Sequence, residues 1–329
     1  MFYRAVIIGI LILPCFFSLE IQGECLIFSD PNGYIDNPDT LDNGQFECGD
    51  PNLTEYYLTL PYNFVPPIYW ERTPNPSSLP DCYASLIYRS ADPNIPAFIP
   101  PEYRGDNEDK WTISAPYEGD SFVVLSTGGF GSVNGTSVKG ACISQEIFLS
   151  PGDTIIGAYF FGAGDYTPFN DYGGIYLQPA DSNDYPNPRP EFTIAECNVE
   201  DVGSFLSTAE WVPFVYNIEP NQIGPYYLHC EVVDSFDTKL TSYFAIDNLR
   251  ICHNGLSPAD LNYDCNVNLE DYCIVSQAWL SFCPDIFDPN TMDPNDITDP
   301  NMPCQLADID NNGYVDPNDL IIMSEDWLF

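Results

Sequence analysis

The chain has 329 residues, 49 of them acidic against 9 basic, for a formal charge of −40, and it carries 12 cysteines. That balance argues against nucleic acid or an anionic membrane surface as a partner, since both need a basic face to neutralise phosphates; divalent cations are the better counter-charge. The length suggests two domains.

Residues 1–23 read as an export signal: Arg4 gives a basic start, Ala5 to Leu19 are almost wholly apolar, and small Gly23 is a candidate cleavage point. The apolar run is short for a bilayer span. Cys15 does not fit lipidation, because Pro14 stands where a small residue should precede it. The mature chain is expected to begin near Glu24, to be secreted to the extracellular space or cell surface, and to insert in no membrane once the signal is removed. It keeps an odd number of cysteines, so at least one thiol is free or pairs with another chain. Export favours disulfides over metal thiolates, no CxxC pair occurs, and the pairing stays open.

From Glu24 to His253 the chain is rich in Tyr, Phe, Val, Ile and Thr, broken at short intervals by Gly, Pro, Asn and Asp. This pattern predicts many short strands with tight turns. Tyr56 to Leu60, Ser121 to Ser126, Thr154 to Phe161, Gly174 to Leu177, Trp211 to Ile218, Tyr226 to Val233 and Ser242 to Ile251 are the clear ones. No helical period is sustained, so the expected fold is mainly β: an antiparallel, jelly-roll-like β-sandwich. Residues 254–258, NGLSP, read as a linker.

Beyond it no Lys or Arg occurs, and ADLNYDCNVNLEDYCIVSQAWL from Ala259 is echoed by ADIDNNGYVDPNDLIIMSEDWLF from Ala307. Duplication marks a paired unit. The stretch 284–303, with Asp-Pro-Asn at Asp288, Asp293 and Asp299, reads as an irregular acidic insertion between the copies. In the second copy Asp308, Asp310, Asn312, Asp316 and Asp319 fall at positions 1, 3, 5, 9 and 12 of an EF-hand-type loop, with Gly313 at position 6. In the first copy the set is Asp260, Asn262, Asp264, Asn268 and Asp271, with Cys265 in place of the glycine. Position 7, Asn266 or Tyr314, would add a backbone carbonyl. A hard cation such as Ca²⁺ takes six to eight oxygens, and alternate side chains of a tight loop present them. Each loop should run into a short helix whose apolar positions form one stripe. Those positions are Tyr272, Ile274, Val275, Ala278, Trp279 and Leu280 in the first copy and Leu320, Ile322, Met323, Trp327 and Leu328 in the second. The two stripes should pack on one another, making a small α-helical paired-loop domain over 259–329.

A loop with no preceding helix, Asp at position 12 and a tandem copy together resemble type I dockerin modules. The resemblance implies calcium-dependent attachment to a cohesin-like protein receptor. Cys265 departs from the glycine, and Leu269-Glu270 and Pro317-Asn318 stand where well-known dockerins carry a Ser-Thr contact pair.

LDNGQFECGD from Leu41 and FAIDNLRIC from Phe244 resemble the first and last strands of carbohydrate-binding modules of the galactose-binding-like jelly-roll type. In that resemblance Glu47 and Asp247 match residues that help hold a structural calcium, and a polysaccharide is the implied partner. Sugar stacking needs exposed rings. Tyr62, Tyr69, Trp70, Trp111, Tyr117, Tyr166, Phe169 and Tyr172 lie in turn-rich stretches; the loop from Gly164, with Asp165, Asn170 and Asp171, stands out. His229 and His253 are the only histidines, and no GxSxG or HExxH motif occurs, so no catalytic residue is assigned. A secreted non-catalytic binding protein is the expected function. A polysaccharide-degrading enzyme with an unrecognised carboxylate pair and a structural surface protein stay open as alternatives.

Overall fold

The computed structural model describes residues 41, 45–46, 55–56, 63–64, 67, 70–73, 83–90, 92–100, 111–128, 138–180, 192–235, 240–253, 255–262, 264–283, 302–325 and 327. Two compact units emerge, Cys25–Asn254 and the residues from Gly255 onward. Among the described residues no helix is long and apolar enough to cross a membrane.

The first unit is β-rich. Its strands are β1 Glu55–Tyr56, β2 Asn63–Phe64, β3 Glu71–Thr73, β4 Tyr83–Tyr88, β5 Ser121–Ser126, β6 Val138–Leu149, β7 Thr154–Gly162, β8 Tyr172–Pro179, β9 Phe192–Asn198, β10 Val212–Asn217, β11 Gly224–Ser235 and β12 Tyr243–Cys252. A single helical turn, α1 Val199–Val202, follows β9. Two five-stranded sheets form, in the orders β10-β7-β12-β5-β4 and β3-β6-β11-β8-β9, and β1 pairs with β2 apart from them. The neighbouring strands run antiparallel. One core joins the sheets: Val123, Leu125, Phe161, Phe244 and Ile246 from the first meet Ile143, Ile147, Ile175, Leu177, Leu228 and Val232 from the second. This is a β-sandwich.

The two sheets differ in what covers their outward faces. Phe122, Val124, Phe160, Tyr243 and Ala245 on the outward face of the first sheet pack under Phe98, Trp111 and Ile113. A strand buried on both faces loses the alternation of a half-exposed one, and SFVVLS in β5 is buried at every position. The second sheet keeps one polar face. Its longest pairing joins β11, expected over Tyr226 to Val233, to β6, which was not anticipated as a strand because Gly140, Ser144 and Glu146 interrupt its apolar positions. Of the predicted strand Tyr56 to Leu60, Tyr56 lies in β1 and the rest falls outside the described residues.

In the second unit, α2 Leu269–Gln277 and α4 Pro317–Glu325 follow the two acidic loops, and α3 Met302–Ala307 precedes the second. Asn268 caps α2, its side chain accepting from the Glu270 amide while Asp271 reaches back to the Asn268 amide. Asp316 serves α4 in the same way, accepting from the Asn318 amide at 2.7 Å, with Pro317 in the first turn, where it has no amide to lose. Val275, Ala278 and Met323 lie in a core with Leu261, Val267 and Val315, and Tyr272, Ile274, Trp279, Leu320 and Trp327 pack against it half-buried.

Three expectations need correction here. Leu280 is not part of the buried stripe: it is 73% exposed with φ of 62°, because the chain turns out of the helix at that residue. Ile322 lies outside that core, half-buried. The insertion does not run irregularly to Pro303, since Met302 and Pro303 already form the first turn of α3; Leu328 and residues 284–301 lie outside the described residues. A disulfide, Cys283–Cys304, closes this segment, and Cys252 and Cys265 are also disulfide-bonded.

Candidate functional site

The two acidic loops share the same set of backbone-amide bonds at positions 1, 5 and 12. The carboxylate of Asp260 accepts from the Asp264 and Cys265 amides at 3.0 and 2.9 Å, and that of Asp308 from the Asn312 and Gly313 amides at 3.0 and 2.8 Å. At the far end, Asp271 accepts from the Asn262 and Asn268 amides at 3.2 and 2.8 Å, while Asp319 accepts from the Asp310 and Asp316 amides at 3.2 and 2.7 Å. Position 5 folds the middle in the same manner: Asp264 accepts from the Asn266 amide at 2.8 Å and Asn312 from the Tyr314 amide at 2.9 Å.

This folding gathers charge. Carboxylate oxygens of Asp260, Asp264 and Asp271 lie within 4.8 Å of one another, as do those of Asp308, Asp310 and Asp319. Asp and Asn exchange places at positions 3 and 5, so each loop keeps three carboxylates among positions 1, 3, 5 and 12. Burial pushes the Asp260 carboxyl up to about 6, with Asp264 and Asp271 adding to the rise against the two amide bonds that lower it. Burial raises Asp308 as well, with Asp319 and Asp310 contributing. All these side-chain donors are oxygens, which suits a hard divalent cation and not a thiophilic one. Asp316 stands outside the three-carboxylate group and Asn268 turns its amide nitrogen to Asp264 at 3.2 Å, so position 9 serves as a helix cap in both loops.

Asp247 is fully buried in the middle of β12, where the pairing with β7 shifts register. It accepts from the Tyr117, Glu118 and Asn248 amides at 2.8, 3.1 and 2.8 Å, and these donors favour its charged form. Glu47 lies outside the described residues. Its neighbour Phe46 accepts from Ser121 Oγ at 2.7 Å.

The aromatic candidates separate into core and surface. Trp70 and Trp111 are core residues, contrary to expectation. Phe46 and Trp70 stand ring to ring at 5.3 Å, and Trp111 Nε1 donates to the Ala163 carbonyl at 3.2 Å. Glycine at 162 is required by that indole, since a Cβ there would come within 2.1 Å of it. Tyr62 and Tyr69 lie outside the described residues. Tyr117 and Tyr166 are exposed, and Phe169 and Tyr172 half-buried. Tyr166 heads a loop-tip platform, 5.6 Å from Phe205 and 5.4 Å from Phe169. Phe205, 43% exposed at φ of 62°, was not singled out from sequence. The loop carboxylates do not reach that surface. Buried Asp165 accepts from the Tyr166 amide and, through its carbonyl, from the Phe205 amide. Buried Asp171 accepts from the Ser235 amide and Ser242 Oγ, and Asn170 accepts from the Glu200 amide.

The outward face of the second sheet carries a further polar cluster that no motif announced. Glu231 on β11 is paired across from Gly174 on β8, which is paired across from Glu196 on β9. Tyr176 folds into the space above the glycine, where a Cβ would stand 2.2 Å from the phenol oxygen. The phenol donates to Glu196 Oε2 at 3.0 Å, and His229 Nε2 lies 3.2 Å from Glu231 Oε2. Burial, then the charges of Glu231 and Glu196, push the Tyr172 phenol up to about 12. Burial and the same two glutamates also hold Tyr176 far above its ordinary value, so both phenols remain protonated donors. Gln178 follows Tyr176 by two residues, which puts it on the same face. It is 3% exposed, and its amide nitrogen makes no hydrogen bond.

No protein-family model matches the chain, and no curated protein matches it. Among solved structures, a family 61 carbohydrate-binding module in complex with β-1,4-galactotriose is similar at 12% identity, covering 65% of this chain and 97% of that one with a TM-score of 0.33. The C-terminal family 22 carbohydrate-binding module of Clostridium thermocellum Xyn10B is similar at 15% identity over 64% and 96% of the chains, TM-score 0.27. The K1 cleaved adhesin domain of Lys-gingipain from Porphyromonas gingivalis W83 is similar at 12% identity over 56% and 90%, TM-score 0.30.

Proposed function

We propose that this is a secreted, non-catalytic binding protein in which the sandwich holds polysaccharide and the paired loops hold Ca²⁺ as a dockerin-like attachment module for a cohesin-like receptor. The observation that carries the reading is the shared folding of the two loops, each bringing three carboxylates within 4.8 Å. Three like charges at that spacing repel, and a divalent cation removes the repulsion while joining the two ends of each loop. Asp260, Asp264 and Asp271 would hold one ion, Asp308, Asp310 and Asp319 the other, with Asn262, Asn312 and the carbonyls of Asn266 and Tyr314 completing the shells. Binding would then contribute to folding of this unit. The exposed Tyr166–Phe205 platform supports the glycan part, since it offers ring faces to a sugar.

Thermal unfolding of the full chain with Ca²⁺ and with chelator tests the attachment reading. A transition that moves up with Ca²⁺ is expected, and identical melts would contradict it.

A second reading, a polysaccharide-degrading enzyme, is favoured by one observation: Glu196 and Glu231 stand on either side of Gly174. Release of reducing ends by the wild type, lost in Glu231→Gln, would establish it.

A further inference from the structure

We infer that the Cys283–Cys304 disulfide is a redox-sensitive lock on the second acidic loop: closed, it holds the loop ready for a divalent cation, and opened by a dithiol it lowers the affinity for that cation. The inference rests on the calcium reading above and adds a means of control to that site.

The geometry is a closed circuit around Gly313. Its amide donates to the Asp308 carboxylate at 2.8 Å, and its carbonyl accepts from the Cys283 amide at 2.8 Å. Two further bonds extend that stitch, the Leu280 amide donating to the Val315 carbonyl and the Val315 amide to the Ser281 carbonyl. On the other side, the Cys304 carbonyl in α3 accepts from the Asp308 amide at 3.1 Å, so the end of that helix sets the first position of the loop. The disulfide joins the two sides across a sequence separation of 21. Each of its cysteines therefore holds the loop through the backbone, one at position 6 and one at position 1. The first loop has a disulfide-bonded cysteine, Cys265, at position 6 itself.

Cross-linking two distant positions removes conformational freedom from the open chain. With the bond intact, Asp308, Asp310 and Asp319 start close to the arrangement a cation needs; without it, cation binding must also supply that ordering and is weaker. Cys283 is buried and Cys304 half-buried, so the thiolate of an incoming dithiol attacks the Cys304 sulfur. Cys283 leaves as a thiolate and takes up a proton. The second thiol of the dithiol then displaces Cys304, which is protonated in turn, and closes the dithiol's own disulfide. Two electrons and two protons pass from dithiol to protein. The coupling is reciprocal: a disulfide that tightens cation binding is itself protected by the bound cation.

Calorimetric titration of Ca²⁺ into the chelator-treated full chain tests this, in the wild type and in the double variant Cys283→Ala with Cys304→Ala. The second-loop event is the one that Asp308→Ala removes. A tenfold or greater loss of affinity at the second loop is expected, with the first loop unchanged. Unchanged affinity at the second loop, or equal loss at both, would overturn the inference. Should the double variant fail to fold, the wild type supplies the second readout. It is equilibrated in dithiothreitol buffers of graded reduced-to-oxidised ratio, with Ca²⁺ or with chelator, and Cys283 and Cys304 are followed by alkylation and peptide mass spectrometry. Ca²⁺ should move their midpoint to a ratio at least tenfold more reducing, about 30 mV per tenfold. An identical midpoint in both conditions would overturn the lock. Ca²⁺ binding that ignores the disulfide leaves the calcium reading intact, whereas absence of binding in the wild type would overturn both.

Discussion

The backbone amide of Cys265 donates to Asp260 at 2.9 Å, as that of Gly313 donates to Asp308 at 2.8 Å, so a cysteine holds the turn that the second loop gives to glycine. Both residues have positive φ, 69° and 88°. A side chain in that region carries a penalty that glycine avoids. Because a Cβ on Gly313 would meet the Cys283 carbonyl oxygen only at an ordinary 3.5 Å, Gly313→Ala isolates the backbone effect. It should lower the stability of the second unit by roughly 1–2 kcal/mol, read from the urea midpoint, and leave the first unit unchanged.

Cys265 is also disulfide-bonded, which ties the first loop by a bond the second does not have. Cys265→Ser should weaken Ca²⁺ binding at the first loop and spare the second, because it leaves the Cys283–Cys304 disulfide beside the second loop intact. Calorimetry of this variant beside the wild type checks this; equal loss at both loops would show that Cys265 does not act locally.

Trp111 and Tyr166 should respond in opposite ways. Trp111→Ala removes a core indole and its hydrogen bond to the Ala163 carbonyl, so it should cost about 3–5 kcal/mol of stability. Tyr166→Ala should leave the melt unchanged. If the loop tip contributes a stacking contact, it should lower glycan affinity by about 1 kcal/mol. Denaturation and affinity electrophoresis of both variants separate the roles.

Cys197 and Cys230 are free thiols within the sandwich core. Burial pushes Cys197 up to about 11 and holds Cys230 well above the ordinary thiol value, so neither carries appreciable thiolate near pH 8. Iodoacetamide should therefore leave both unmodified in the native protein and label both after denaturation, as peptide mass spectrometry would show.

The convergence of the acidic loop side chains was legible in sequence because they lie within a dozen residues of one another, and local spacing alone fixes which of them meet. Strands buried on both faces were legible too: SFVVLS of β5 announces itself by a continuous apolar run. The face around Tyr176 was not legible, since Glu196, Gly174 and Glu231 meet only through the register of three strands. A glycine among aromatics was its one local trace. Trp70 and Trp111 misled for a related reason: turn-rich surroundings do not reveal that a ring turns inward to cover a sheet. Phe205 was missed because nothing in its own neighbourhood distinguishes an exposed ring from a core one.

The paired loops are tested most directly by calorimetric titration of Ca²⁺ into the chelator-treated full chain, beside Asp260→Ala and Asp308→Ala. Two binding events are predicted for the wild type, with each variant losing a different one and keeping the other. Absence of binding in the wild type, or a titration that neither substitution alters, would contradict the account.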